Sequence, residues 1–129
     1  MTNSCKFNIF HPNCPARNFF EKFADKWVLL IVYRLEQQSQ HFNELKKSLD
    51  GISPKVLSHK LKNLERDGFI SRTIHENNVI RVEYALTNLG CEFAQTALSF
   101  KIWAEDNAQH VIKAQQQFDD QQSISANVL

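Results

Sequence analysis

The stretch FNELKKSLDGISPKVLSHKLKNLERDGF, residues 42–69, decides the fold. Phe42, Leu45 and Leu49 recur three and four apart, so a helix through them carries all three on one face. That helix stops at Asp50-Gly51-Ile52. Glycine suits the left-handed residue that closes a helix, and isoleucine the apolar residue that folds back onto it. Ser53 is placed to cap a second helix, and Pro54 fits its first turn, where the missing N–H costs nothing. Leu57, Leu61 and Leu64 line one side of this second helix, which ends at Asp67-Gly68-Phe69 and so repeats the earlier stop. Two helices split by a short glycine-containing turn form the helix-turn-helix pattern.

The outer face of the second helix points to function. Lys55, Ser58, His59 and Lys62 fall at i, i+3, i+4 and i+7, away from the leucines, with Ser53 at the helix start. A helix that reads DNA needs this equipment: short hydrogen-bonding side chains near its N-terminus, and cations that reach phosphates or guanine edges. On an isolated helix such a stripe is most often just a solvated face. The paired stops, the Ser-Pro start and the segment that follows favour the DNA-reading alternative.

After Gly68 the hydrophobic period changes from about 3.6 to 2. Ile70, Arg72 and Ile74 alternate with Ser71 and Thr73; Ile80, Val82, Tyr84 and Leu86 alternate with Arg81, Glu83 and Ala85. Asn77-Asn78 lies between them and tolerates turn conformations, which predicts a β-hairpin. A two-residue turn would pair Ile74 with Arg81 and split the apolar residues between the faces. A three-residue loop ending at Val79 pairs Ile74 with Val82 and Ile70 with Leu86, gathering them on one buried face. Arg81 and Glu83 then point outward beside Thr73 and His75. A helix-turn-helix followed by a two-stranded hairpin is a winged helix, with Arg81 near the tip available to the DNA backbone or minor groove.

Working outward, residues 1–13 read as an irregular arm in which Phe7, Ile9 and Phe10 are apolar enough to pack in part. Pro15 starts a helix with Ala16, Phe19, Phe20 and Phe23 on its apolar face. Asp25 caps a further helix over 26–37, with Trp27, Leu30, Ile31 and Leu35 as the buried stripe, and residues 37–40 form a polar connection. Thr87 caps the last long helix. Its stripe of Leu89, Phe93, Ala97, Phe100, Trp103 or Ala104, and Val111, widened by Leu98, Ile102 and Ile112, exceeds what one side of a small domain hides. This predicts a dimer interface built from terminal helices through Phe19, Phe23, Phe93, Phe100 and Trp103. From about Gln115 the periodicity is lost and the chain is expected to fray, leaving 14–114 as the winged-helix domain with its dimerisation helices and 115–129 as a flexible tail.

The fold class is therefore mainly α with a small β-hairpin. At 129 residues the chain suits one domain with a modest core, and its 43% hydrophobic content makes it globular rather than disordered. The net charge of +1 carries no global nucleic-acid signal, but the distribution does. Between His41 and Arg72 stand Lys46, Lys47, Lys55, Lys60, Lys62, Arg66 and Arg72 against Glu44, Asp50, Glu65 and Asp67. From Ala104 onward only Lys113 faces Glu105, Asp106, Asp119 and Asp120. No apolar run reaches membrane-spanning length and no signal-peptide pattern opens the chain, which points to the cytosol and to no membrane partner. An odd set of three cysteines, Cys5, Cys14 and Cys91, makes a poor disulfide framework. Cys14 immediately precedes Pro15, so aligned backbone dipoles and nearby Arg17 would favour its thiolate. His11 lies three residues from Cys14, but no oriented third group or oxyanion loop accompanies the pair, so no enzyme is read. The histidines and cysteines lack paired metal-ligand spacing and there is no glycine-rich phosphate loop, so neither metal nor cofactor is expected.

Several motifs together resemble the HxlR-type family of bacterial winged helix-turn-helix regulators, relatives of the MarR group. They are Cys14-Pro15, Lys26-Trp27, FNEL at 42–45, GIS at 51–53, LSHKLKNLERDG at 57–68 and RVEYALTNLG at 81–90. The resemblance covers about residues 14–103. It implies a cytosolic homodimer that binds double-stranded DNA at a pseudo-palindromic operator and represses nearby genes. It also implies that Cys14, at the position of the family's first cysteine, senses electrophiles, quinones or oxidants. Ala24-Asp25 stands where the family often has a Gly-Gly pair, and the hairpin tip lacks the prolines common there. Cys5 and Cys91 are both open as partners of Cys14. The alternative function is a winged-helix protein-interaction module without DNA binding.

Overall fold

A computed structural model of the chain describes residues 7–77 and 79–128. After a 3-10 turn at Pro15–Asn18 come α1 (Phe19–Phe23), α2 (Lys26–Gln37), β1 (Gln40–His41), α3 (Phe42–Ser48) and α4 (Pro54–Arg66). The chain then forms β2 (Ile70–Glu76), β3 (Ile80–Leu86) and α5 (Asn88–Val128). Two compact units divide between Ala97 and Leu98.

The helix boundaries follow from side chains within one turn. Asp25 Oδ1 accepts the N–H groups of Trp27 and Val28 at 2.9 and 3.1 Å, starting α2. Ser53 Oγ accepts the Val56 N–H at 3.1 Å, with Pro54 in the first turn of α4. Thr87 Oγ1 does the same for Gly90 at 3.0 Å. α3 and α4 both end at glycines with positive φ, Gly51 at 89° and Gly68 at 85°. Behind α4 the N–H of Phe69 reaches Leu64 O and that of Gly68 reaches Glu65 O, both at 3.0 Å, with Phe69 and Leu64 buried. This is a Schellman ending with its apolar contact.

Leu45, Leu49, Ile52, Leu57, Leu61 and Leu64 form the core of the first unit with Ile31, Val32 and Leu35 of α2. The stripe expected on α2 is displaced. Leu30 is 37% exposed and Trp27 only half-buried, while Val28, Leu29 and Val32 are buried. Residues 27–32 are all apolar, so their spacing cannot choose a face; the elements packed around α2 choose it. On α5, Leu89 is likewise exposed. Ala94 and Ala97 are buried and Phe93 is half-buried, placing the core-facing stripe to one side of that expected.

The hairpin register is the predicted one, with Ile74 opposite Val82, Ile70 opposite Leu86 and Glu76 opposite Ile80 across a three-residue loop. Asn78, in that loop, lies outside the described residues. The expectation of one buried face holds only at the hairpin base. Ile70 and Tyr84 are buried, but Ile74 is exposed and Ile80 is 72% exposed, because among the described residues no element covers the distal strands. A third strand was not anticipated. β1 pairs with β3, Gln40 opposite Tyr84 and His41 opposite Glu83, so the polar connection ends as a buried sheet edge.

The N-terminal segment departs from expectation too. Phe7, Ile9 and Phe10 are exposed, Phe10 the most at 84%. The helix expected from Pro15 is a 3-10 turn followed by the five-residue α1. Phe19 and Phe20 are exposed; Phe23 packs edge-on against Phe93 at 4.8 Å between ring centres. In the second unit the described residues after Gln115 are helical through Val128, where fraying was expected. Gln and Ala in this stretch favour helix even without a buried stripe.

Candidate nucleic-acid interface

α4 is polarised by its own sequence. Leu57, Leu61 and Leu64 are fully buried on one face, and Lys55, Ser58, His59 and Lys62 are exposed on the other. Ser53 is exposed at the N-terminus, where its Oγ is the capping acceptor. The structure thus brings five of the six sequence-predicted DNA-binding residues onto one helix. The sixth, Arg81, is exposed on β3, opposite His75. A cleft of about 650 Å³ separates the start of α3 from the hairpin, lined by His41, Phe42, Glu44, Ile80, Arg81 and Val82 among others.

One cation of the basic segment is diverted. Lys60, on the flank of α4, forms an ion pair with Asp25 Oδ2 at 2.5 Å. Burial alone would raise the Asp25 carboxyl, but the Lys60 hydrogen bond and charge and the N–H groups of Val28 and Trp27 outweigh it and hold the carboxyl below its ordinary value. Spacing on α4 alone does not reveal this pair, since its partner lies 35 residues earlier.

The hairpin carries a polar network on its outward face. Glu83 accepts a hydrogen bond from Ser39 Oγ at 2.8 Å and lies 3.0 Å from His75 Nε2; the His75 contact, then that from Ser39, holds its carboxyl below the ordinary range. His41 Nδ1 lies 3.2 Å from the Val82 carbonyl, so it is the donor. The alternation of β2 and β3 had set His75 beside Glu83; Ser39 and His41 enter only because β1 joins the sheet.

Cys14 is 4% exposed, heads a turn of four residues, and donates its N–H to His11 O at 3.0 Å. Cys91 is exposed, and Cys5 lies outside the described residues. Of the aromatic residues expected at an interface, Phe23 and Phe93 are half-buried and Phe19 is exposed in the first unit. Phe100 and the 58%-exposed Trp103 are uncovered in the second. Among the described residues no helix is long and apolar enough to cross a membrane, and no cluster of metal-ligating side chains is present.

A family model described as HxlR-like helix-turn-helix matches residues 23–112. The uncharacterized helix-turn-helix-type transcriptional regulator YtfH of Escherichia coli K12 is 31% identical over 105 residues, 81% of this chain and 83% of that protein. Among solved structures, the chain assigned as transcriptional regulator ytfH from Salmonella typhimurium is similar with a TM-score of 0.79. Its identity is 30%, and the match covers 86% of this chain and 99% of that one. The redox regulator HypR in its reduced form gives a TM-score of 0.71 at 26% identity, over 77% and 98% of the two chains.

Proposed function

Because this chain belongs to the HxlR-like helix-turn-helix family of transcriptional regulators, we propose that it acts as a homodimeric, sequence-specific DNA-binding repressor, released by a thiol-reactive or other small-molecule signal. The observation that carries the reading is the polarised α4: buried leucines hold the helix while Lys55, Ser58, His59 and Lys62 stand clear of the protein. In this reading α4 lies in the major groove, Ser58 and His59 meet base edges, and Lys55 and Lys62 meet phosphates. Arg81 extends the footprint to the backbone or minor groove beside it. The uncovered Phe19, Phe100 and Trp103, with Phe23 and Phe93, supply the dimer interface. A two-fold dimer then meets two half-sites about one helical turn, ~34 Å, apart.

Cys14 is the sensing residue of this reading. That the similar HypR is a redox regulator supports it. The burial of Cys14 sets a condition on the chemistry: an oxidant, quinone or electrophile reaches the sulfur only through a local opening that exposes it. Selection from a pool of random duplexes tests the reading. The full chain should enrich a pseudo-palindrome, with affinity falling steeply with salt. Failure to enrich any sequence at moderate salt would overturn it.

A further inference from the structure

Two ion pairs tie the α1–α2 corner to α4, and neither belongs to the exposed stripe. Lys22 Nζ lies 2.9 Å from Asp67 Oδ2, and Lys60 Nζ lies 2.5 Å from Asp25 Oδ2. All four side chains are about three-quarters buried, with exposures of 23 to 27%. The corner contributes residues three apart and α4 contributes residues seven apart, two turns along a single face. The charges are crossed as well: the cation of the corner meets the acid of α4, and the acid of the corner meets its cation. Sliding the corner toward the start of α4 would carry Lys22 toward Lys60, so the pattern resists such a slide. Asp25 is oriented beforehand, because its other oxygen is engaged by the Trp27 and Val28 N–H groups.

The leucines beneath α4 fix its depth, but apolar contact is non-directional and leaves roll and axial position weakly specified. Hydrogen-bonded ion pairs at two separate turns supply the missing direction. We propose that Asp25–Lys60 and Lys22–Asp67 are positioning pairs that set the roll and axial position of α4, and so the discrimination between operator and other DNA, without touching DNA themselves. The proposal rests on α4 being the DNA-reading helix.

The test uses the full chain, with the duplex that the wild type selects from a random pool and a scrambled duplex of the same composition. Asp25→Asn keeps the helix cap, since asparagine caps as well as aspartate, and removes the ion pair. Lys60→Met removes the cation and keeps most of the apolar stem. Lys22→Glu, Asp67→Lys and their combination form a charge swap. Each single substitution should lower the preference for the selected duplex by about three- to tenfold, in the lower part of what contacting pairs contribute. Binding to the scrambled duplex and the salt slope should stay the same, because no phosphate contact is lost. Lys22→Glu/Asp67→Lys should recover the preference, and Asp25→Asn/Lys60→Met should be no worse than its worse single variant. A lowered thermal midpoint with equal loss on both duplexes would show a merely structural role and overturn the proposal. So would a reduced salt slope for Lys60→Met, which would make Lys60 a phosphate contact. If the wild type prefers the selected duplex and the variants prefer it equally, the positioning role alone fails. If the wild type has no preferred duplex, the DNA-reading role of α4 fails, and the positioning role with it.

Discussion

Replacing Gly90 by alanine sets two effects against each other. Gly90 lies in the first turn of α5, and alanine is the better helix former by ~0.8–1.0 kcal/mol in a helix interior. Propensity alone therefore predicts a more stable protein. The structure reverses the sign. A methyl group at residue 90 would lie 1.9 Å from the Phe69 carbonyl oxygen and 3.2 Å from Leu86 Cδ2. The obstacle is backbone, immediately after the Gly68 stop, so no side chain can swing away. Relief requires α5 to move by more than 1 Å, roughly the gap between that contact and an ordinary carbon–oxygen approach. The same Phe69 oxygen accepts the Thr87 N–H at 3.1 Å, and Thr87 Oγ1 donates to Gly68 O at 2.6 Å. Overpacking costs ~1–3 kcal/mol and each strained hydrogen bond ~0.5–1.5 kcal/mol. With the propensity gain subtracted, Gly90→Ala should destabilise by about 3 kcal/mol, lowering the thermal midpoint by about 12 °C or more for a unit of this size. Far-ultraviolet circular dichroism on heating, with denaturant unfolding at 25 °C, measures both. A midpoint equal to or above that of the wild type would refute the reasoning, since it would mean that α5 does not approach Phe69 this closely.

Asp25 makes stability depend on acid. Its folded carboxyl is held below the ordinary value of 3.8, so its contribution is present above that value and is lost as pH falls through the lower folded one. The stability gap between wild type and Asp25→Asn should be constant above about pH 5 and close below 3.8; a gap that widens in acid would contradict the pairing. His59→Ala should cost ~1–3 kcal/mol at one base position, whereas Lys62→Ala and Arg81→Ala should weaken all duplexes alike and flatten the salt slope by about one unit each. Titrations against single-base variants at several salt concentrations separate the two behaviours, and unchanged affinity in all three variants would remove the groove assignment. Trp103→Glu should convert the dimer to monomer in sedimentation at micromolar concentration, and a wild type already monomeric there would contradict the interface. Cys14→Ser should bind the selected duplex normally and resist release by a quinone or mild peroxide; equal sensitivity of the two proteins would exclude Cys14 as sensor.

What the sequence determined by itself is what acts within a turn or a hairpin. The caps at Asp25, Ser53 and Thr87, the stops at Gly51 and Gly68, and the leucine side of α4 each depend on residues no more than seven positions apart. Pattern therefore reveals them directly. The hairpin register belongs here too, because loop length and alternation together leave one arrangement with matched apolar residues. The exposed stripe on α4 follows from the buried one, since a helix that hides its leucines must present the opposite side chains.

The remainder was decided at long range. Nothing near Gln40 marks it as a strand; it becomes one because Tyr84, 44 residues later, offers an open edge. The uniformly apolar run in α2 could bury any face, and the surrounding elements chose Val28, Leu29 and Val32 over Leu30. Lys60 and Lys62 look alike in a basic segment, yet Asp25 withdraws one and leaves the other exposed. The need for glycine at residue 90 arises from the passage of Phe69, and Ile74 and Ile80 are exposed because no described element lies over the distal hairpin. Local chemistry specifies where a helix begins and which sides it has; which side meets a neighbour depends on contacts between segments far apart in sequence, and those exist only once the chain has folded.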